Sequence, residues 1–193
     1  MNDKLKTGTK MGAILLFIGI AQFYIFINIA AFVDKGYSIS NNSISHLGIV
    51  STGYIFNGSI IVLGILEILG ALNFKLYSKL FLIFLVLAGI GSIGVGIFNE
   101  NYGTIHLIFA LLAFLFPSIA TYVVLSKDRT LMSAIWALMG SIAIASLILF
   151  LLTIEVSHSF DLGLGEGGME RMILIPNIIW AMTFSGSKYY KPE

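Results

Sequence analysis

The sequence predicts an all-α fold: a polytopic membrane protein whose single domain, residues 1–193, is a bundle of six transmembrane helices. Three observations predict it. Hydrophobic residues make up 58% of the chain and charged residues only 11%, against about 45–50% and about 25% in soluble domains. With a mean hydropathy of +0.95, that balance excludes disorder, a coiled coil and a soluble globule with one core. Six apolar runs are each long enough to cross a bilayer, and the basic residues gather in alternate loops.

A bilayer core about 30 Å thick takes a helix of roughly 20 apolar residues. The first run, 11–33, follows Lys4, Lys6 and Lys10. A basic lead of this kind resembles a signal peptide, but the run far exceeds the roughly 7–15 residues of a signal h-region, so it reads as a retained helix. The second run, 51–72, holds Glu67, the one acid well inside a span. It reads as a buried group, neutralised by protonation or bonded to Thr121 or Tyr122. The third, 79–98, aligns Ala88, Ser92 and Gly96. The fourth, 103–125, contains Pro117, whose missing N–H predicts a kink near Ala113. The fifth, 131–154, aligns Ser133, Ala137, Ser141 and Ala145. Small residues four apart let membrane helices approach closely, so these stripes read as packing faces inside the bundle, with a homodimer face as the alternative. The sixth run is 169–185. What remains is loops and tails, too little for a soluble domain.

Charge placement orients the bundle. Lys4, Lys6, Lys10, Lys75, Lys79, Lys127, Arg129, Lys188 and Lys191 all fall on one side, and only Lys35 and Arg171 on the other. Cytoplasmic loops accumulate Lys and Arg, which predicts a cell-membrane protein with both termini cytoplasmic. The net charge of +1 supplies no field to recruit nucleic acid. The absence of cysteine removes disulfides, thiolate catalysis and Cys-based metal sites. No phosphate-binding glycine loop is present, and no cofactor is expected.

In that orientation the polar chemistry collects outside. His46, His106 and His158 all lie there, with Asp34, Glu100, Glu155, Asp161, Glu166 and Glu170. In the first outer loop Asn42 or Ser43 is placed to cap a short interfacial helix that Gly48 ends, and His46 is either a solvated loop residue or poised over the bundle mouth. Thr104 is a candidate N-cap for the fourth span, and His106 follows in its first turn. A polar residue just inside a membrane helix turns toward protein rather than acyl chains, which makes His106 a candidate base, relay or ligand. Glu170 suits the positive end of the last helix. Arg171 either closes a salt bridge to Glu100, Glu155 or Glu170, or holds an anionic lipid headgroup through its guanidinium fork. Three histidines with a carboxylate or water can hold zinc or iron, but these come from separate loops without ligand spacing, and no metal site is assigned.

Three segments also carry a resemblance. Ser43-Ile-Ser-His46-Leu-Gly48 followed by Asn57-Gly-Ser, Phe98-Asn99-Glu100-Asn101 with His106 beyond it, and Gly-Met-Glu170-Arg171 with Trp180 in the same helix together resemble the DUF998 family of small membrane proteins of unknown function. The resemblance covers residues 10–186. It implies that Asn57, His106, Glu170 and Arg171 are the family's polar residues, and it brings no activity. The family pattern usually has Asp where this chain has His46 and Pro where it has Asn99. A fainter similarity links the loop and the six-span plan to the Frag1/DRAM/Sfk1 group of eukaryotic membrane proteins.

The resulting expectation is an outer polar mouth that binds a membrane lipid by its headgroup, with processing of that lipid left open. His106 and Glu170 are the candidate catalytic pair; Arg171, His46, Asn57, Asn99 and Glu100 are the candidate binding residues. A small transporter or proton pathway is the alternative, and an accessory subunit paired within the membrane a third reading.

Overall fold

The computed structural model describes residues 3–74 and 77–191; Lys75, counted above among the cations, lies outside them. The described residues form six long helices: α1 (Asp3–Val33), α2 (Gly53–Asn73), α3 (Lys79–Ile97), α4 (Thr104–Asp128), α5 (Leu131–Glu155) and α6 (Gly165–Tyr190). Three short 3₁₀ turns, Ser45–Gly48, Glu100–Tyr102 and His158–Asp161, punctuate the loops, and no strand is present among these residues. Helices α1 to α5 are long and apolar enough to cross a membrane. The expectation of six apolar spans is corrected at α6. That helix is as long as the others, at 26 residues, but carries Glu166, Glu170, Arg171, Asn177 and Lys188. Glu170, Asn177 and Lys188 are buried in the bundle, so the helix is polar where it faces protein.

Each helix packs against its neighbours in chain order, and α6 returns to pack on α1, closing a ring. Lys10 near the start of α1 lies over the ring of Tyr189 near the end of α6, so the start of α1 and the end of α6 lie at one end of the bundle, here called the basic end. The loops carrying the histidines and most carboxylates gather at the opposite, acidic end.

Close backbone approach holds the ring together. A Cβ on Gly89 would lie 2.6 Å from the carbonyl oxygen of Gly64, so α2 and α3 touch backbone to backbone there. Glycine makes this contact possible because no side chain intervenes. Gly64→Leu is therefore expected to force the two helices apart and to destabilise the detergent-solubilised protein by about 1–3 kcal/mol or more, read as a lower thermal midpoint. On α3, Ala88, Ser92 and Gly96 are buried as the packing reading requires. On α5 the stripe divides: Ser133 and Ala137 are buried, but Ser141 and Ala145 are exposed. The buried face runs instead through Gly140, Ala143 and Leu147, because a straight helix drifts off a strict four-residue spacing.

Aromatic rings fill the interior toward the basic end. Phe184 lies 5.4–5.8 Å, ring centre to ring centre, from Phe74, Tyr77, Phe81, Trp136 and Trp180. At the rim the buried Lys188 ammonium lies 2.6 Å from Asp128, which also accepts from the Tyr77 hydroxyl at 3.1 Å. Burial first, and the Asp128 charge second, push the Tyr77 phenol well above its ordinary range, so it stays a donor.

Candidate functional site

The acidic end is organised around Glu170. Its carboxylate is buried and accepts from the backbone N–H of Ile44, from the N–H of Ser45 at 3.3 Å and from the Ser45 hydroxyl at 2.9 Å. Three donors on one carboxylate pin the 3₁₀ turn Ser45–Gly48 onto the start of α6. Gly48 ends that turn as expected, and Ser43 Oγ accepts from His46 N at 3.0 Å. Gly165, at φ +71°, opens α6 where a Cβ would lie 2.5 Å from the Ser40 carbonyl. Only glycine allows loop and helix to meet so closely.

Arg171 closes none of the expected salt bridges among the described residues. Its guanidinium donates to the carbonyls of Ile39 and Gly167 and to the Tyr37 hydroxyl, each at 2.9 Å. Tyr37 in turn donates to the Ser43 carbonyl at 3.0 Å. No carboxylate is paired with Arg171 among the described residues. The arginine thus clamps the first outer loop to α6 through carbonyls, which accept but carry no full charge. Burial raises the Tyr37 phenol above its ordinary range, and the adjacent guanidinium only partly opposes that, so the hydroxyl remains protonated across the physiological range.

His46 does lie at the mouth, with Nδ1 3.1 Å from Glu100, whose other oxygen accepts from Ser43 Oγ at 3.4 Å. The Asn99 side chain caps the turn Glu100–Tyr102 and does not line the cleft between α4 and α5. Asn57 donates to the Gly48 carbonyl at 2.9 Å and supports the loop from below, its Oδ1 buried without a partner among the described residues. Gly103, not Thr104, is the N-cap of α4, and it does so at φ +53° with no side-chain cap. His106 follows in the first turn, only 8% exposed, with Nδ1 2.8 Å from the Phe98 carbonyl. A carbonyl can only accept, so Nδ1 carries a proton, and in the neutral ring Nε2 is an acceptor.

The groups that converge line one cleft of about 290 Å³ between the outer halves of α4 and α5 and the start of α6. Its upper wall is polar: Ser43, Ser45 and Thr104, then His106, with Glu100, Glu155, Glu166 and Glu170. Its lower wall is apolar, built by Leu107, Leu111, Phe114, Leu147, Phe150 and Leu151. The cleft brings His106, Glu100 and Glu170 together; His46, Asn57, Asn99 and Arg171 do not line it. Sequence reasoning had no role for Ser45; Glu155 entered it as an outer acid and a possible partner for Arg171, and Glu166 only as one of the outer acids. The recurrence of carboxylates at span ends was the available signal for the last two.

A second cavity, of about 70 Å³, lies inside the ring and shares Ser45, Ala110, Phe114 and Glu170 with the cleft. At roughly 30 Å³ per molecule it has room for about two waters. Glu67 lines it and accepts from Ser92 at 3.1 Å, not from Thr121 or Tyr122. Side chains on a helix lean toward its N-terminus, and α2 starts at the acidic end, so the Glu67 carboxylate is carried up toward Ser92 and away from α4. Asn177 also lines this cavity, tied to Ser118 and Trp180 at 3.0–3.1 Å.

Among the described residues no three His, Asp or Glu side chains are grouped closely enough to hold a metal ion. The family model of DUF998, a protein of unknown function, matches residues 17–186. No curated protein and no solved structure matches the chain.

Proposed function

The chain belongs to the DUF998 family, whose function is unknown, and on that premise we propose that this membrane protein binds a lipid by its headgroup in the cleft at the acidic end. The carrying observation is the division of the cleft wall, polar toward the loops and apolar toward the membrane interior. An amphiphile has the same division, and burying acyl methylenes against the lower wall contributes about 0.8 kcal/mol each. His106 Nε2 supplies an acceptor at the junction of the two walls. If the bound lipid is turned over, His106 is the base and Glu170, held by three donors, the group that fixes the roof of the site. The transporter reading draws support from Glu67 in the inner cavity, but the aromatic cluster around Phe184 closes the interior below it.

The test is native mass spectrometry of the chain released gently from its own membrane. A stoichiometric lipid adduct is expected, reduced at least fivefold by Leu151→Trp and by Leu111→Trp, which fill the lower wall with about the volume of several methylenes. A bare polypeptide, or an adduct indifferent to both changes, overturns the proposal.

The proposed orientation places the acidic end outside the cell membrane and both termini in the cytoplasm, on the strength of the basic loops at the other end. The cysteine-free chain allows a direct check. Ser159→Cys, in an exposed turn at the acidic end, is expected to react with an impermeant maleimide in intact cells, and Ser126→Cys, exposed at the basic end, only after permeabilisation. The reverse labelling pattern overturns the orientation.

A further inference from the structure

Resting on the lipid reading above, we propose that the headgroup this cleft selects carries a cationic ammonium. The first observation is the sign of the wall. Four carboxylates line the cleft and no Lys or Arg does so among the described residues. Arg171, next to Glu170 in the chain, does not line the cleft; its guanidinium donates instead to Ile39, Gly167 and Tyr37. Two of the four carboxylates are already engaged: Glu170 by Ile44 and Ser45, and Glu100 by His46 and Ser43. Glu155 and Glu166 have no such partners among the described residues, and both line the cleft. An anionic phosphoglycerol headgroup would meet uncompensated negative charge here, whereas an ammonium would be drawn in.

The second, independent observation is His106. The ring is more than nine-tenths buried and its Nδ1 proton is committed to the Phe98 carbonyl, so Nε2 presents an unpartnered lone pair on the cleft wall. An unpartnered acceptor on the wall of this cleft favours a donor from the ligand, and an ammonium brings three. The acids are too dispersed to enclose a metal ion. A tethered ammonium does not need a closed shell, because its methylene and acyl portions are held by Leu107, Leu111 and Phe150 below.

The experiment titrates the purified full chain in detergent, separately, with dioleoyl-phosphatidylethanolamine and dioleoyl-phosphatidylglycerol, followed by native mass spectrometry. The two lipids share acyl chains and phosphate and differ in the ammonium. The ethanolamine lipid is expected to bind about tenfold more tightly, the preference two partly exposed carboxylates and one hydrogen bond can supply. That preference is expected to shrink as ammonium acetate rises. In Glu155→Gln/Glu166→Gln the ratio is expected to fall to within about twofold, with binding of both lipids retained. The single changes Glu155→Gln and His106→Phe give the same readout should the double variant not fold, and each is expected to lower the ratio. Equal or tighter binding of the glycerol lipid, or a preference that survives all these changes, overturns the ammonium assignment and leaves lipid binding intact. Failure of both lipids to bind overturns the lipid reading itself.

Discussion

Glu170→Ala is expected to cost about 3–5 kcal/mol of stability, the largest loss from any single change at the acidic end. The alanine would leave the buried N–H groups of Ile44 and Ser45 without an acceptor and release the Ser45 hydroxyl. Each orphaned buried donor costs about 1–3 kcal/mol, and the vacated volume adds to that. For a chain of this length such a loss corresponds to a midpoint about 10 °C lower. Trp136 and Trp180 are both buried in the bundle, so intrinsic fluorescence in detergent reports the transition. Glu170→Gln keeps one oxygen for the two backbone donors and turns its amide toward Ser45 Oγ, so it is expected to retain more than half of the lost stability. Equal damage from Ala and Gln would show that the charge, and not the acceptor geometry, is what matters at this position.

The same residue marks how far the sequence could be read. Hydropathy located the membrane helices closely: residues 79–98 and 131–154 answer to Lys79–Ile97 and Leu131–Glu155. That succeeded because a bilayer imposes one length and one polarity on every span. The run 169–185 likewise falls within α6, but that helix is less apolar than the other five because its polar residues are turned into the ring. The surplus of polar groups at the acidic end was also legible, and with it His106, Glu100 and Glu170. Their partners were not. Glu170 is bound by residues 125 and 126 positions away, and Arg171 is bound by carbonyls, which every residue possesses. A side chain that seeks backbone leaves no compositional trace of its partner. Nor did the sequence show that Glu155, one of the acids offered to Arg171 by charge, would line a cleft with Glu166 instead, since pairing by sign ignores which way each helix is rotated.

The second large effect is expected at the other end of the molecule. Asp128→Ala would leave the Lys188 ammonium buried with only the Tyr77 and Phe184 ring faces, 5.4 and 5.7 Å away, to stabilise it. Removing one partner of a buried pair costs about 3–5 kcal/mol, because the remaining charge stays desolvated. Replacing both partners by apolar groups is far milder, so Asp128→Leu/Lys188→Met is expected to recover most of the stability that Asp128→Ala loses. The comparison also bears on function. The pair joins the ends of α4 and α6, and His106 lies 22 residues earlier on α4, about 33 Å away along the axis. A binding protein that needs only its acidic end should keep its lipid adduct in the double variant, because the ring remains closed. A transporter would have to open this seal in each cycle, so replacing it with an apolar contact would change flux as well as stability. Retained lipid with unchanged midpoint in Asp128→Leu/Lys188→Met therefore supports a site confined to the acidic end. Loss of the adduct in a variant that is otherwise stable would tie the cleft to the far end of α4 and favour a moving bundle.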